Sequence, residues 1–233
     1  MAVKQAKRIQ TSFLNETERH ILKWLADRQP AWMTSDLLTF IGFLGSVIMC
    51  AGYILSAKNI NWLWFCSFGY VINWYGDSLD GTLARVRNQQ RPIYGFYLDH
   101  TMDAVNEVLM FMGAGLSNLM HLPIAMFALV IYMMLTINVT INTHLKGEFK
   151  LTYAKFGPTE LRLVMIGINI LFIFIRPLRE FRTAPFNICG IETSLKAFDF
   201  FAIGVVLILL SMYVTAVLKD LREYDRLDPK PKK

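Results

Sequence analysis

Five acidic side chains, Asp77, Asp80, Asp99, Asp103 and Glu107, fall within one stretch of the chain, GDSLDGTLARVRNQQRPIYGFYLDHTMDAVNE. Asp77 and Asp80 are three apart, and Asp99 and Asp103 four apart. On a helix each pair shares one face, a turn up or down. Two neighbouring antiparallel helices joined by a short loop can aim both pairs at one point. Carboxylates crowded in this way repel one another unless a cation compensates them. Oxygen ligands with no His or Cys among them suit Mg2+, Mn2+ or Ca2+. Two ions bridged by shared carboxylates can clamp a phosphoryl group during in-line displacement.

The residues between the acids fit that chemistry. Gly81 follows Asp80, and a missing side chain lets a ligand approach the backbone. Ala84 is small and lies one turn on. Arg85 is a fixed cation able to hold a diphosphate through paired hydrogen bonds. Gly95, one turn before Asp99, gives similar clearance.

The flanking sequence is apolar. Of 233 residues 54% are hydrophobic and 18% charged, and the mean hydropathy is +0.37. A soluble domain of this size carries more charge. Long apolar runs predict an all-α integral membrane protein. Six spans are expected, at about 37–56, 60–80, 97–120, 122–143, 160–176 and 197–218. Before them, residues 13–28 place Phe13, Leu14, Ile21, Leu22, Trp24 and Leu25 at near-helical spacing among charges. This predicts an amphipathic helix on the membrane surface, with Asn15 and Glu18 as a capping box. The division is residues 1–35 as tail and surface helix, 36–220 as the membrane domain and 221–233 as a basic cytoplasmic tail. Residues 1–12 are basic and polar, which suits a retained cytoplasmic tail and no cleavable signal.

Small residues suggest close helix contacts at Gly42 with Gly45 and at Gly113 with Gly115. Asn138 and Asn142 share a face and are expected to bond to a neighbouring helix. Cys50, Cys66 and Cys189 are scattered and read as small apolar fillers. His20, His121 and His144 read as interfacial, and Lys146, Lys150 and Lys155 as cytoplasmic charges. The net charge of +6 fits loops facing anionic lipid, with no nucleic acid as partner.

Lys and Arg set the orientation. With the N-terminus in the cytoplasm, all of the 24 basic residues lie inside except Lys58, Arg176, Arg179, Arg182 and Lys196. The four aspartates then share one depth and face the cytoplasm. Four of the outside cations fall in one unexpectedly basic loop.

The stretch resembles the signature of the CDP-alcohol phosphotransferase family, D-x2-D-G-x2-A-R-x9-G-x3-D-x3-D. Asp77, Asp80, Gly81, Ala84, Arg85, Gly95, Asp99 and Asp103 match every fixed position. The resemblance implies transfer of a substituted phosphate from a CDP-linked alcohol to a second alcohol, with release of CMP, in phospholipid biosynthesis. It implies that Asp77, Asp80, Asp99 and Asp103 hold two divalent ions, Mg2+ or Mn2+. It implies that Gly81, Ala84, Arg85 and Gly95 meet the CDP moiety and that Asp103 takes the acceptor's proton. It also implies a membrane homodimer in which donor or acceptor, or both, is a lipid.

Two local features resemble the choline and ethanolamine phosphotransferase branch: His100 in LDHTMD, and FGPTE at 156–160. That branch implies a CDP-choline or CDP-ethanolamine donor, a lipid hydroxyl acceptor, and His100 and Glu160 as aids to deprotonation. The alternative is a CDP-diacylglycerol donor with glycerol phosphate, serine or inositol phosphate as acceptor. Helix-start stabilisation accounts equally well for Glu160, and a local hydrogen bond for His100. Glu107 continues the Asp99 and Asp103 stripe one turn deeper, as a further ligand or a partner of Asn106 or Asn73. A divalent cation carrier is the rival from another class. It has no evident need for Gly81, Ala84 and Arg85, and the acids gather at one end.

Overall fold

The computed structural model describes residues 7–9, 15–146, 148–150, 157–188 and 190–230. Phe13, Leu14, Lys155, Phe156 and Cys189 lie outside the described residues, as do the side chains of Asn15, Lys146 and Lys150. Eight helices carry the described chain: α1 Asn15–Asp27, α2 Ser35–Ser56, α3 Trp62–Val86, α4 Pro92–Leu116, α5 Leu122–Lys146, α6 Pro158–Phe174, α7 Arg176–Glu180 and α8 Ala197–Leu227. Four three-residue strands accompany them. β1 Lys7–Ile9 pairs parallel with β2 Glu148–Lys150, and β3 Phe186–Ile188 pairs antiparallel with β4 Ile191–Thr193.

The six long helices match the six apolar runs in order. Three of them, α2, α5 and α8, are apolar and long enough to cross a bilayer by length and composition. α3 and α4 are as long but share the acidic stretch, and α6 has only 17 residues. At 1.5 Å per residue, α6 reaches about 26 Å, just short of a typical hydrocarbon core.

α2 begins at Thr34, whose hydroxyl accepts from the Leu37 amide at 3.2 Å. It packs on α3 through glycines. A Cβ on Gly76 would strike the backbone nitrogen of Gly42, and one on Gly45 that of Asn73. The helices therefore approach backbone to backbone. Gly113 of α4 comes as close: its Cβ would stand 2.7 Å from the Cα of Cys50. A buried cluster of Met49, Tyr53, Leu63, Cys66, Tyr70, Phe172 and Phe198 ties α2, α3, α6 and α8 together. Cys66 is fully buried, as a small filler should be.

The inner face of α1 packs on protein. Glu18, Leu22 and Ala26 recur every four residues and are buried. Leu22 and Ala26 join Leu38, Leu79 and Leu83 in one cluster. The Glu18 carboxylate accepts from Trp74 Nε1 at 2.8 Å and from the Thr159 hydroxyl at 2.6 Å. Glu18 thus joins α1 to α3 and α6. Ile21 and Trp24 stay exposed on the outer side.

α5 and α8 are joined by polar groups. The Asp220 carboxylate accepts from Asn142 Nδ2 at 2.8 Å and Asn138 Nδ2 at 3.4 Å, and the Tyr224 hydroxyl donates to Asn142 Oδ1 at 2.6 Å. The expected cross-helix bonding of Asn138 and Asn142 is thus present. His121 is more than interfacial. Its Nδ1 bonds Asp199 Oδ2 at 2.6 Å, and its amide donates to the other oxygen at 2.8 Å. Asp199 also accepts from the Lys196 amide at 2.8 Å and so caps α8.

The basic segment after α6 engages most of its cations locally. Arg176 Nε donates to Glu180 at 2.7 Å, and Arg182 to the Phe181 carbonyl at 2.7 Å. Partial burial, and then the nearby Arg182, push the Lys196 ammonium below the ordinary lysine range.

Candidate active site

A five-residue turn, Arg87 to Arg91, joins α3 to α4, and both helices pack on α2. The turn is secured by Arg87, which donates to the carbonyls of Gln29 and Pro30, each at 2.9 Å, and to that of Met33 at 2.5 Å. This geometry brings three of the four aspartates together. One carboxylate oxygen from each of Asp77, Asp99 and Asp103 falls within 4.8 Å of the other two.

The fourth aspartate is held otherwise. Asp80 Oδ2 accepts from the Thr39 hydroxyl of α2 at 2.6 Å, and Oδ1 accepts from the Gly81 amide. Ser35 Oγ donates to the Asp80 carbonyl at 2.7 Å. The separation has a simple origin. Three residues turn a helix by about 300°, so Asp77 and Asp80 diverge by roughly 60° around the α3 axis. Asp77 faces α4 and α6, while Asp80 faces α2.

A cation that the sequence reading counted only toward orientation sits at the cluster. Arg162 of α6 places Nη2 at 2.5 Å from Asp77 Oδ2 and donates from Nε to Asn73 Oδ1 at 2.9 Å. Asn73 donates in turn to the Gly42 carbonyl at 3.1 Å and to Ser46 Oγ at 3.0 Å. Those bonds commit Asn73 to α2 and α6, not to Glu107. The Arg162 and Asp77 side chains are only 15% and 22% exposed, so water does little to screen the pair.

The remaining predicted residues divide by location. Ala84 lines a cleft of about 270 Å3 with Thr34, Ser35, Asp36, Gln89 and Arg91. Arg91 stacks on Tyr94, 3.7 Å from the ring centre, and lies 3.8 Å from Asp36. Arg85 donates to Thr82 Oγ1 at 3.0 Å. A Cβ on Gly81 would find only Arg85 Nη1, at 3.5 Å, and one on Gly95 nothing within 4 Å. Both glycines therefore leave room for a ligand.

His100 turns its Nδ1 to the Phe96 carbonyl at 3.0 Å and lays its ring on Phe96, with Asp99 at 3.8 Å. Glu160 is buried and accepts from the Gly157 amide at 3.0 Å, stabilising the start of α6. That is the helix-start role open to it from the sequence. Glu107 faces Thr136 of α5. Its Oε2 is buried with no hydrogen-bond partner among the described residues.

The donor set fits divalent hard cations. It consists of three convergent carboxylates, with no sulfur or imidazole in the group. Asp77, Asp99 and Asp103 would hold such ions.

Comparison with known proteins agrees with this chemistry. Residues 32–218 match the family described as CDP-alcohol phosphatidyltransferase. Over 86 residues the chain is 33% identical to a phosphatidylinositol phosphate synthase of Cutibacterium acnes (strain DSM 16379 / KPA171202). That alignment covers 37% of this chain and 39% of the relative.

Proposed function

Since the chain belongs to the CDP-alcohol phosphatidyltransferase family, we propose that it transfers a substituted phosphate from a CDP-linked alcohol to a second alcohol, releasing CMP, in phospholipid synthesis. The observation that carries this reading is the convergence of Asp77, Asp99 and Asp103 within 4.8 Å. On the same α3–α4 hairpin, Ala84 borders a cleft large enough for part of a nucleotide.

Two divalent ions, Mg2+ or Mn2+, would neutralise charge on the diphosphate and on the departing CMP. The chain's own groups do the placing. Arg85 faces the diphosphate, and Gly81 and Gly95 allow it to approach the backbone. Thr34, Ser35, Gln89 and Arg91 offer polar contacts to the nucleoside in the cleft. Asp103 accepts the proton of the acceptor hydroxyl as its oxygen bonds to phosphorus and the bond to CMP breaks. Because positioning and preorganised charge carry most of the rate in phosphoryl transfer, side chains anchored by second bonds, such as Asp80 and Asn73, suit the site.

We assign the donor to CDP-diacylglycerol and the acceptor to a polar alcohol such as glycerol phosphate, serine or inositol phosphate. The relative named for phosphatidylinositol phosphate synthesis supports this. The opposite assignment, to a choline or ethanolamine donor, drew on His100 and Glu160. Both have local hydrogen-bonding roles here, so that assignment loses its structural support. The working protein is a six-span homodimer whose site faces the cytoplasm, where CDP-linked donors and polar acceptors are at hand.

The test is a matrix of donors and acceptors with purified protein, read as CMP release and as lipid product mass. Product from CDP-diacylglycerol with a polar acceptor is expected. Product only from CDP-choline or CDP-ethanolamine with diacylglycerol would reverse the substrate assignment. No CMP from any pair would end the enzymatic reading.

A further inference from the structure

Arg162 is unusual among the basic residues near the site. Arg85 pairs with a threonine hydroxyl and Arg91 lies in an open cleft, but Arg162 reaches into the carboxylate cluster itself. Its Nη2 contacts Asp77 Oδ2 at 2.5 Å, and the guanidinium also feels the charge of Asp103. Its place is built. Nε is fixed on Asn73, which is buried at 3% exposure and bonded to Gly42 and Ser46 of α2. The group is thus a cation held by a neutral amide against an acid that the cluster also uses.

We propose that Arg162 is the resident counter-cation of the carboxylate cluster and competes with divalent ions for it. This rests on the reading that the cluster holds such ions. A fixed positive charge beside the cluster lowers the site's affinity for a second cation. It also offsets the mutual repulsion of Asp77, Asp99 and Asp103 whenever the ions leave. The chain can therefore release and reload its ions without the three carboxylates driving one another apart. Arg162 is a positioning residue in this account: it acts through Asp77, and no contact with substrate is asked of it.

The experiment compares wild type, Arg162→Gln and Arg162→Lys in lipid nanodiscs, with Mn2+ binding followed by electron paramagnetic resonance and Tm measured with and without Mn2+. Removing the charge should tighten Mn2+ binding by about tenfold or more, since a unit charge this close is weakly screened. Arg162→Gln should melt lower than wild type in chelator and regain wild-type Tm at saturating Mn2+. Arg162→Lys keeps the charge but loses the Asn73 bond, and should bind Mn2+ within about threefold of wild type. Unchanged or weaker binding by Arg162→Gln, or a Tm deficit that Mn2+ does not close, would overturn the proposal and leave a structural ion pair. If the glutamine variant does not accumulate, Arg162→Lys decides: wild-type affinity supports the counter-charge role and weakened binding refutes it. Wild type that binds no Mn2+ would instead remove the underlying reading of the cluster, and the proposal with it.

Discussion

Asp220 stands between α5 and α8, where two asparagine amides donate to it and Tyr224 completes the network through Asn142. Asp77, Asp99 and Asp103 stand between α3 and α4 with their oxygens within 4.8 Å, and the cation at their edge reaches one of them. Both groups place carboxylates within the helix bundle, where an unpaired charge is costly. In the first, amide donors from one helix meet a carboxylate on the other, which suits a joint between helices. In the second, three like charges are gathered at one point. Such crowding suits a site that takes a cation from outside. An acid in a helical membrane protein is therefore best judged by what surrounds it, not by its depth.

The contrast breaks first at the cluster. Asp99→Asn keeps the shape and removes a charge. It should lower CMP release by at least about a hundredfold while leaving expression and Tm near wild type. Activity close to wild type would deny Asp99 a part in the chemistry. The reverse pattern is expected at the joint. Asp220→Ala leaves Asn138 and Asn142 without their acceptor and should cost about 1–3 kcal/mol of stability. Thermal unfolding would show this, and the turnover of the folded fraction should hold. A large loss of turnover with unchanged Tm would make Asp220 part of the active machinery and erase the distinction. Asn142→Ala removes one donor and one acceptor and should cost less, about 1 kcal/mol. The smallest effect belongs to His100→Ala. With its ring nitrogen on the Phe96 carbonyl, the rate should stay within about threefold of wild type. A drop of two orders of magnitude would return His100 to the role of base.

Much of this could be read from the sequence, for a physical reason. The signature lies on two consecutive helices, so spacing alone fixes which side chains share a face, and both helices pack on α2, which holds their acidic ends near each other. Asp77, Asp99 and Asp103 come together in this way. Asp80 shows the limit. Its 60° offset matters only once α2 presents Thr39 to it, and helix periodicity does not say which helix packs there. Arg162 was hidden for the same reason: it is far from the signature in sequence, and the positive-inside count explained it too easily. Glu18 offered a capping reading from local spacing, yet it bonds Trp74 and Thr159, partners that tertiary packing supplies. The glycine contacts were only half visible. Gly42, Gly45 and Gly113 were marked as small positions, but their mates Gly76, Asn73 and Cys50 are a matter of helix register.

The central claim is that Asp77, Asp99 and Asp103 form one ion-holding group. Mn2+ titration of wild type beside the triple variant Asp77→Asn, Asp99→Asn and Asp103→Asn, read by electron paramagnetic resonance, tests it most directly. The account predicts saturable binding by the wild-type protein and none by the triple variant. Equal binding by both, or none by either, would contradict it.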